Sequence, residues 1–228
     1  VQTPWHVYLK RLPLYDPFVF KDIILGSAQL GMDYGITNKK GMPSRKDTQD
    51  LIESALALGI RSFDTARSYG VSEAMLGLAL SNNQKNDVKV MTKLQPMTRL
   101  KDDVCYNDIA DFLNASIYHS CHALRRSKLD VLYFHKSTDI FRWNGIAIDH
   151  VQQLIEDGVV GEIGASVYTV DEALECINDL RIRHLQIPFN ILDTRWNSDT
   201  FQNAIARRPE LCIYARSLFL QGLLVNTS

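Results

Sequence analysis

No stretch of this sequence approaches the roughly 20 apolar residues needed to cross a bilayer, and its opening Val1-Gln2-Thr3-Pro4-Trp5-His6 lacks the charged-then-apolar plan of a signal peptide. Net charge is missing too. Lysine and arginine number 25 against 26 acidic residues, a formal charge of -1, so no bulk field draws nucleic acid or an anionic membrane, and any anion must be held locally. Cysteine is sparse: Cys105, Cys121, Cys176 and Cys212 form no CxxC pair, which suits reduced thiols in a cytoplasmic protein better than disulfides or zinc. His119, Cys121 and His122 fall in one helical segment where only the two histidines share a face, too few ligands for a metal site. Two Asn-x-Ser patterns, at Asn114 and Asn226, lack the secretory context that would make them matter. Glycine supplies no dinucleotide fingerprint: Gly26-Ser27-Ala28-Gln29-Leu30-Gly31 is not G-x-G-x-x-G.

What the sequence does have is apolar content, 46% of 228 residues, arranged in alternation. Short β-branched or apolar runs at 23–25, 60–63, 88–91, 131–134, 160–163, 184–187 and 212–215 read as seven strands. Between them, 46–58, 72–80, 107–126, 149–156, 170–177 and 199–206 carry apolar residues at three- and four-residue steps and read as helices. Gly59 and Gly158 stand where left-handed helix ends favour glycine.

Such alternation demands a parallel sheet with right-handed crossovers, either doubly wound or closed into an eightfold barrel. With no dinucleotide fingerprint, the barrel is favoured. The expected fold class is α/β, a (β/α)8 TIM barrel over residues 21–228 whose last strand–helix unit falls beyond these residues. Residues 1–20, rich in proline and aromatics, read as an N-terminal extension or linker, either a hairpin plugging the barrel floor or the tail of a fused upstream domain.

A barrel gathers its strand ends at one mouth. One strand ends on Asp64 with Tyr69 five residues later, and two more finish on Lys93 and His135. A phenol, an ammonium, a carboxylate and an imidazole gathered there make an acid catalyst, since a proton donor near a substrate oxygen on which negative charge develops lowers the barrier. Tyr69 is the candidate acid. Its phenol is too weak an acid at neutral pH unless a cation stabilises the anion, which is the expected role of Lys93. Asp64 would keep a half-desolvated Lys93 charged and aimed, while a neutral His135 could hydrogen-bond a substrate oxygen.

These residues also resemble those of the aldo-keto reductases. The resemblance rests on Phe63-Asp64-Thr65-Ala66 with Tyr69-Gly70, on Thr92-Lys93, on Leu129 through His135, and on Gly161-Glu162-Ile163-Gly164-Ala165-Ser166. It implies reduction of a carbonyl by the tetrad just described, with Tyr69 as acid, His135 orienting the carbonyl and NADPH as hydride source. Ser166 and Gln186 stand where the family holds the nicotinamide amide, and Gly26 lies at the end of the first strand. Ser217, Leu218 and Gly222 match the loop beneath the pyrophosphate. Val167 stands where many members have Asn, and Arg216 where many stack an aromatic on the nicotinamide, a guanidinium plane in place of a ring. The basic residues that grip the adenosine phosphate in the family follow the seventh strand and fall beyond Ser228. Ser166 also reads as a cap for the helix beginning near Val170.

Tyr34, Phe141, Trp143 and Trp196, on the loops after strands one, four and six, are candidates to line a pocket for a sugar-derived or other small-molecule carbonyl; both tryptophans read equally as packing residues. The segment Gln29 to Ile36 resembles members encoded beside surface-polysaccharide enzymes. A non-catalytic cofactor-binding barrel, or a sugar epimerase or isomerase on the same scaffold, stays open.

Overall fold

The computed structural model describes residues 22–81 and 87–224, and the expected N-terminal extension lies outside them. One sheet holds β1 (Ile24–Gly26), β2 (Ser62–Asp64), β3 (Lys89–Lys93), β4 (Leu129–Phe134), β5 (Val160–Ser166), β6 (Ile182–Pro188) and β7 (Cys212–Arg216), all parallel and paired in sequence order. Crossover helices join successive strands: α1 (Arg45–Ala57), α2 (Ser72–Ser81), α3 (Tyr106–Leu124), α4 (Ile146–Glu156), α5 (Val170–Asn178) and α6 (Asp199–Ala206). A doubly wound sheet would reverse its strand order at a switch point. Here the order runs from first to seventh without reversal, so the sheet is a curled, parallel barrel-type sheet.

Alternate strand residues face opposite sides, and they part into two apolar clusters. Phe63, Val90, Leu132, Phe134, Ile163, Ala165, Leu185 and Ile187 pack against the helices with Leu76, Ile109, Leu113, Ile117 and Val151. Met91, Val131 and Tyr133 form a smaller cluster on the concave side, joined by Ile24 of β1 and Tyr214 of β7. The first and last described strands therefore reach the same interior, and the loops behind them meet where Thr37 Oγ1 donates to the Gln221 carbonyl at 3.5 Å. That contact is the signature of curl.

The helix ends follow local chemistry. Ser44 and Asp47 form a reciprocal capping box at the start of α1, and Thr169 and Glu172 do so at α5. Gly59 and Gly158 adopt φ of 89° and 76° just past α1 and α4, as the sequence predicts. The strands outrun their apolar cores: β3 extends to Lys93, β5 to Ser166, and β2 to Asp64. Polar side chains end these strands, so hydrophobic periodicity stops short of them.

Helices α2 and α3 touch backbone to backbone at Gly77, where an added Cβ would lie 2.3 Å from the Ala123 carbonyl oxygen. Glycine to alanine in a helix ordinarily stabilises by about 1 kcal/mol. Gly77→Ala is expected to reverse that sign and cost about 2 kcal/mol, because the obstructing atom is main chain and cannot rotate away. Urea denaturation checks this, and a neutral or stabilised variant would show the helices to be further apart.

Candidate active site

The β2–α2 connection carries the acid candidate and is held on three sides. Ser27 Oγ donates to the Asp64 carbonyl at 2.8 Å, Ser72 Oγ to the Ser27 carbonyl at 2.7 Å, and Thr65 Oγ1 to Ser72 Oγ at 3.1 Å. All three hydroxyl residues are buried. Beneath the loop, the buried Glu73 carboxylate accepts from Arg67 Nη1 at 3.0 Å and Thr92 Oγ1 at 2.6 Å. A third hold is steric. A Cβ on Gly31 would fall 2.1 Å from the Tyr69 carbonyl oxygen, and one on Gly70 would fall 2.2 Å from that of Gly31, so the two backbones approach as only glycines permit.

Within this frame the four expected groups converge. Lys93, 1% exposed, donates from Nζ to both Asp64 carboxylate oxygens at 2.7 Å and to the Thr65 carbonyl at 3.1 Å. The same ammonium stands 5.2 Å from the centroid of the Tyr69 ring. His135 meets that ring edge-on, centroids 6.0 Å apart at 89°, and its Nδ1 lies 3.2 Å from Ser68 Oγ. Asp64 also accepts from Gln186 Nε2 at 2.6 Å, a contact that crosses the barrel from β6 to β2.

Electrostatics match expectation at two groups and depart from it at one. Burial lowers the Lys93 pKa and Asp64 opposes the shift, as a buried ammonium on a carboxylate requires. Burial first, then the Lys93 charge, lowers His135 to about 4, so its imidazole is neutral. Tyr69 departs: burial, then the Asp64 carboxylate, holds its phenol well above the usual value, where the sequence predicts acidification by Lys93. The reason is geometric. Lys93 directs its protons at Asp64 and Thr65 and presents its charge to the ring face, and the cation that does pull the phenol down is Arg216.

The cofactor candidates lie on the same rim. Ser166 and Gln186 are register partners across β5 and β6. The cap of α5 is Thr169, which leaves Ser166 without that alternative duty. Gln186 Oε1 is buried with no donor, an orphaned acceptor of the kind a carboxamide N–H would satisfy. A Cβ on Gly26 would meet nothing within 4 Å, so open space lies over the end of β1. Ser217, Leu220 and Gln221 adopt positive φ around the short helical turn Leu220–Gly222, and Leu218 is exposed. These residues fit a nicotinamide-bearing ligand.

The four pocket aromatics separate. Tyr34 is exposed and lies near Tyr69. Trp196 is 1% exposed, edge-on to Phe201 and bonded through its indole N–H to the Pro188 carbonyl; it packs the core and offers no surface to a ligand. Trp143 donates to the Lys101 carbonyl and carries the Arg142 guanidinium on its face, and Phe141 lines an outer depression with Glu175, Asn178, Asp179 and Leu180. Sequence reasoning missed Ser68 and Tyr168. Ser68 adjoins Tyr69 in the motif itself, whereas Tyr168, whose ring lies 4.4 Å from the Arg216 guanidinium carbon, had no sequence signal. His119, a rejected metal ligand, contacts Arg67.

The lowered His135 pKa has a sign that can be measured. Its folded value, about 4, lies below the usual 6.5, so between those pH values the unfolded chain binds a proton that the native state does not. Stability is expected to fall as pH drops from 6.5 towards 4, with His150 and His184, also lowered, contributing. His135→Gln should make the fall shallower in urea titrations at pH 7 and 5, and an identical slope would contradict a buried, neutral imidazole.

Comparison with known proteins agrees with the fold. The sequence profile of the Aldo/keto reductase family matches residues 22–228. D-arabinose 1-dehydrogenase of Saccharomyces cerevisiae is 30% identical over 158 residues, covering 65% of this chain and 43% of that enzyme, so the match spans less than half of the relative's length. Among solved structures, an aldo-keto reductase from Bacillus halodurans in its holo form superposes with a TM-score of 0.71 at 20% identity, over 90% of this chain and 65% of that one. A thermostable aldo-keto reductase bound to the inhibitor epalrestat gives 0.68 at 20% identity, over 90% and 70%. At such identities the structures speak for the fold alone. With the profile matching all but the first 21 residues, this chain belongs to the aldo/keto reductase family.

Proposed function

We propose that the chain reduces an aldehyde or ketone, with NADPH as hydride source and Tyr69 as the general acid. The observation that carries this reading is the buried Lys93–Asp64 pair beneath the Tyr69 ring, with His135 edge-on beside it. When bound, the reduced nicotinamide supplies a hydride. Ser166 and Gln186 would hold its carboxamide, Gln186 through the acceptor that is now orphaned.

The protein's own groups do the rest. With Ser68 Oγ donating to Nδ1, His135 presents its Nε2–H to the carbonyl oxygen, and a neutral ring orients that oxygen without neutralising it. Tyr69 then donates its phenolic proton to the same oxygen. Its raised pKa is compatible with this role: the acid form persists at physiological pH, and a developing alkoxide is a stronger base than phenolate, so the proton moves downhill. Arg216, the cation that lowers the phenol, helps to hold the phenolate left behind, and Asp64, steered by Gln186, keeps the Lys93 ammonium charged beneath the ring in a site that penalises it.

The substrate class proposed is a hydroxylated, sugar-like carbonyl, supported by the yeast relative's name and by Tyr34 at the mouth. The four free thiols suit the cytoplasmic setting that goes with this reading. Tyr69→Phe is expected to lower kcat for an aldose or simple aldehyde by about 10^2- to 10^4-fold, while the Kd for NADPH, followed by tryptophan quenching, stays within about threefold. Turnover equal to the wild type would refute the assignment.

A further inference from the structure

Arg216 is the last residue of β7. Tyr214, two residues earlier, faces the barrel interior, so Arg216 shares that side at the mouth. Its guanidinium carbon lies 4.4 Å from the Tyr168 ring centroid, Nη2 donates to the Val167 carbonyl at 3.2 Å, and Nε is buried with no partner. Among the described residues no carboxylate pairs with it. The other charges of the site cancel or are absent: Lys93 is neutralised by Asp64 at 2.7 Å, and His135 and Tyr69 are uncharged. The Arg216 charge is nevertheless felt at Tyr69, Lys93 and His135 alike.

We propose that Arg216 leaves the mouth with one uncompensated positive charge, and that this charge makes the site hold the neutral, reduced nicotinamide in preference to its oxidised cation. The inference rests on the carbonyl reduction proposed above. In that reaction a hydride, with its two electrons, passes from the reduced ring to the carbonyl carbon. The π pair of the carbonyl becomes the bond to the proton given up by Tyr69, and the nicotinamide is left with a charge of one. Hydride transfer requires that ring to touch the carbonyl Tyr69 protonates, so the new charge arises within reach of Arg216. Like charges at a partly desolvated mouth repel. An aromatic side chain in that place would instead attract a cation through its face, so the guanidinium reverses the sign of the contact. Release of the oxidised nucleotide is thereby favoured.

The two nucleotides carry the same phosphates, so the ratio of their affinities isolates the ring. Titrating the full-length protein with NADPH and NADP+ by tryptophan quenching gives Kd(NADP+)/Kd(NADPH). Arg216→Gln is expected to lower this ratio by about tenfold, and Arg216→Lys, which keeps the charge, to preserve it. Arg216→Met, with a longer apolar stem, is a second neutral variant should the glutamine fail to fold. An unchanged ratio in a neutral variant that still binds NADPH overturns the inference and leaves the carbonyl reduction standing. A wild-type protein that binds neither nucleotide overturns both.

Discussion

A lysine that is 1% exposed cannot stay charged alone, and everything at the mouth of this barrel is arranged around that fact. Asp64 meets both needs of the Lys93 ammonium, countercharge and hydrogen-bond acceptor, from the neighbouring strand. Removing one partner of such a buried pair costs about 3–5 kcal/mol, because the other charge is stranded. Gln186 adds a tether across the barrel, tying β6 to β2 through Asp64. Curl of the sheet and charge state of the site are therefore coupled: the tether reaches only if the sheet closes on itself far enough.

Around that pair the chain spends polar burial freely. Ser27, Thr65, Ser72, Thr92 and Glu73 are all buried, and each is hydrogen-bonded to the β2–α2 connection or its supports. Buried polar groups that are fully satisfied rigidify, whereas half-satisfied ones cost dearly. The polar atoms left unsatisfied among the described residues include Gln186 Oε1 and Arg216 Nε, both on the rim where a ligand would complete them. The close approach of Gly31 and Gly70 serves the same end by fixing the main chain on which Tyr69 rides.

Much of the architecture could be read in advance. The seven apolar runs and six helical segments recur at nearly their expected limits, and Gly59 and Gly158 sit at left-handed helix ends. The apolar runs stop short of Asp64, Lys93 and Ser166 because these residues are polar, and polarity there reflects the site, not the end of the sheet. Phe141 reads as a pocket residue, and Trp196 equally as pocket or packing, because loop aromatics suggest a lining; Trp196 is core and Phe141 belongs to the helical layer. Loop position says that a side chain is near a mouth, not which way it faces.

By itself the sequence determined the alternation of strand and helix, hence a parallel sheet, and the order of chemical groups at successive strand ends, because these depend on local periodicity and spacing. Only the tertiary structure decided what those groups are to one another. Lys93 faces the Tyr69 ring and not its hydroxyl, Ser68 sets the histidine, Tyr168 carries Arg216, and burial together with the Asp64 carboxylate raises the phenol. Distances across a barrel and the loss of water around a side chain arise from chain segments far apart in sequence, so no local pattern encodes them.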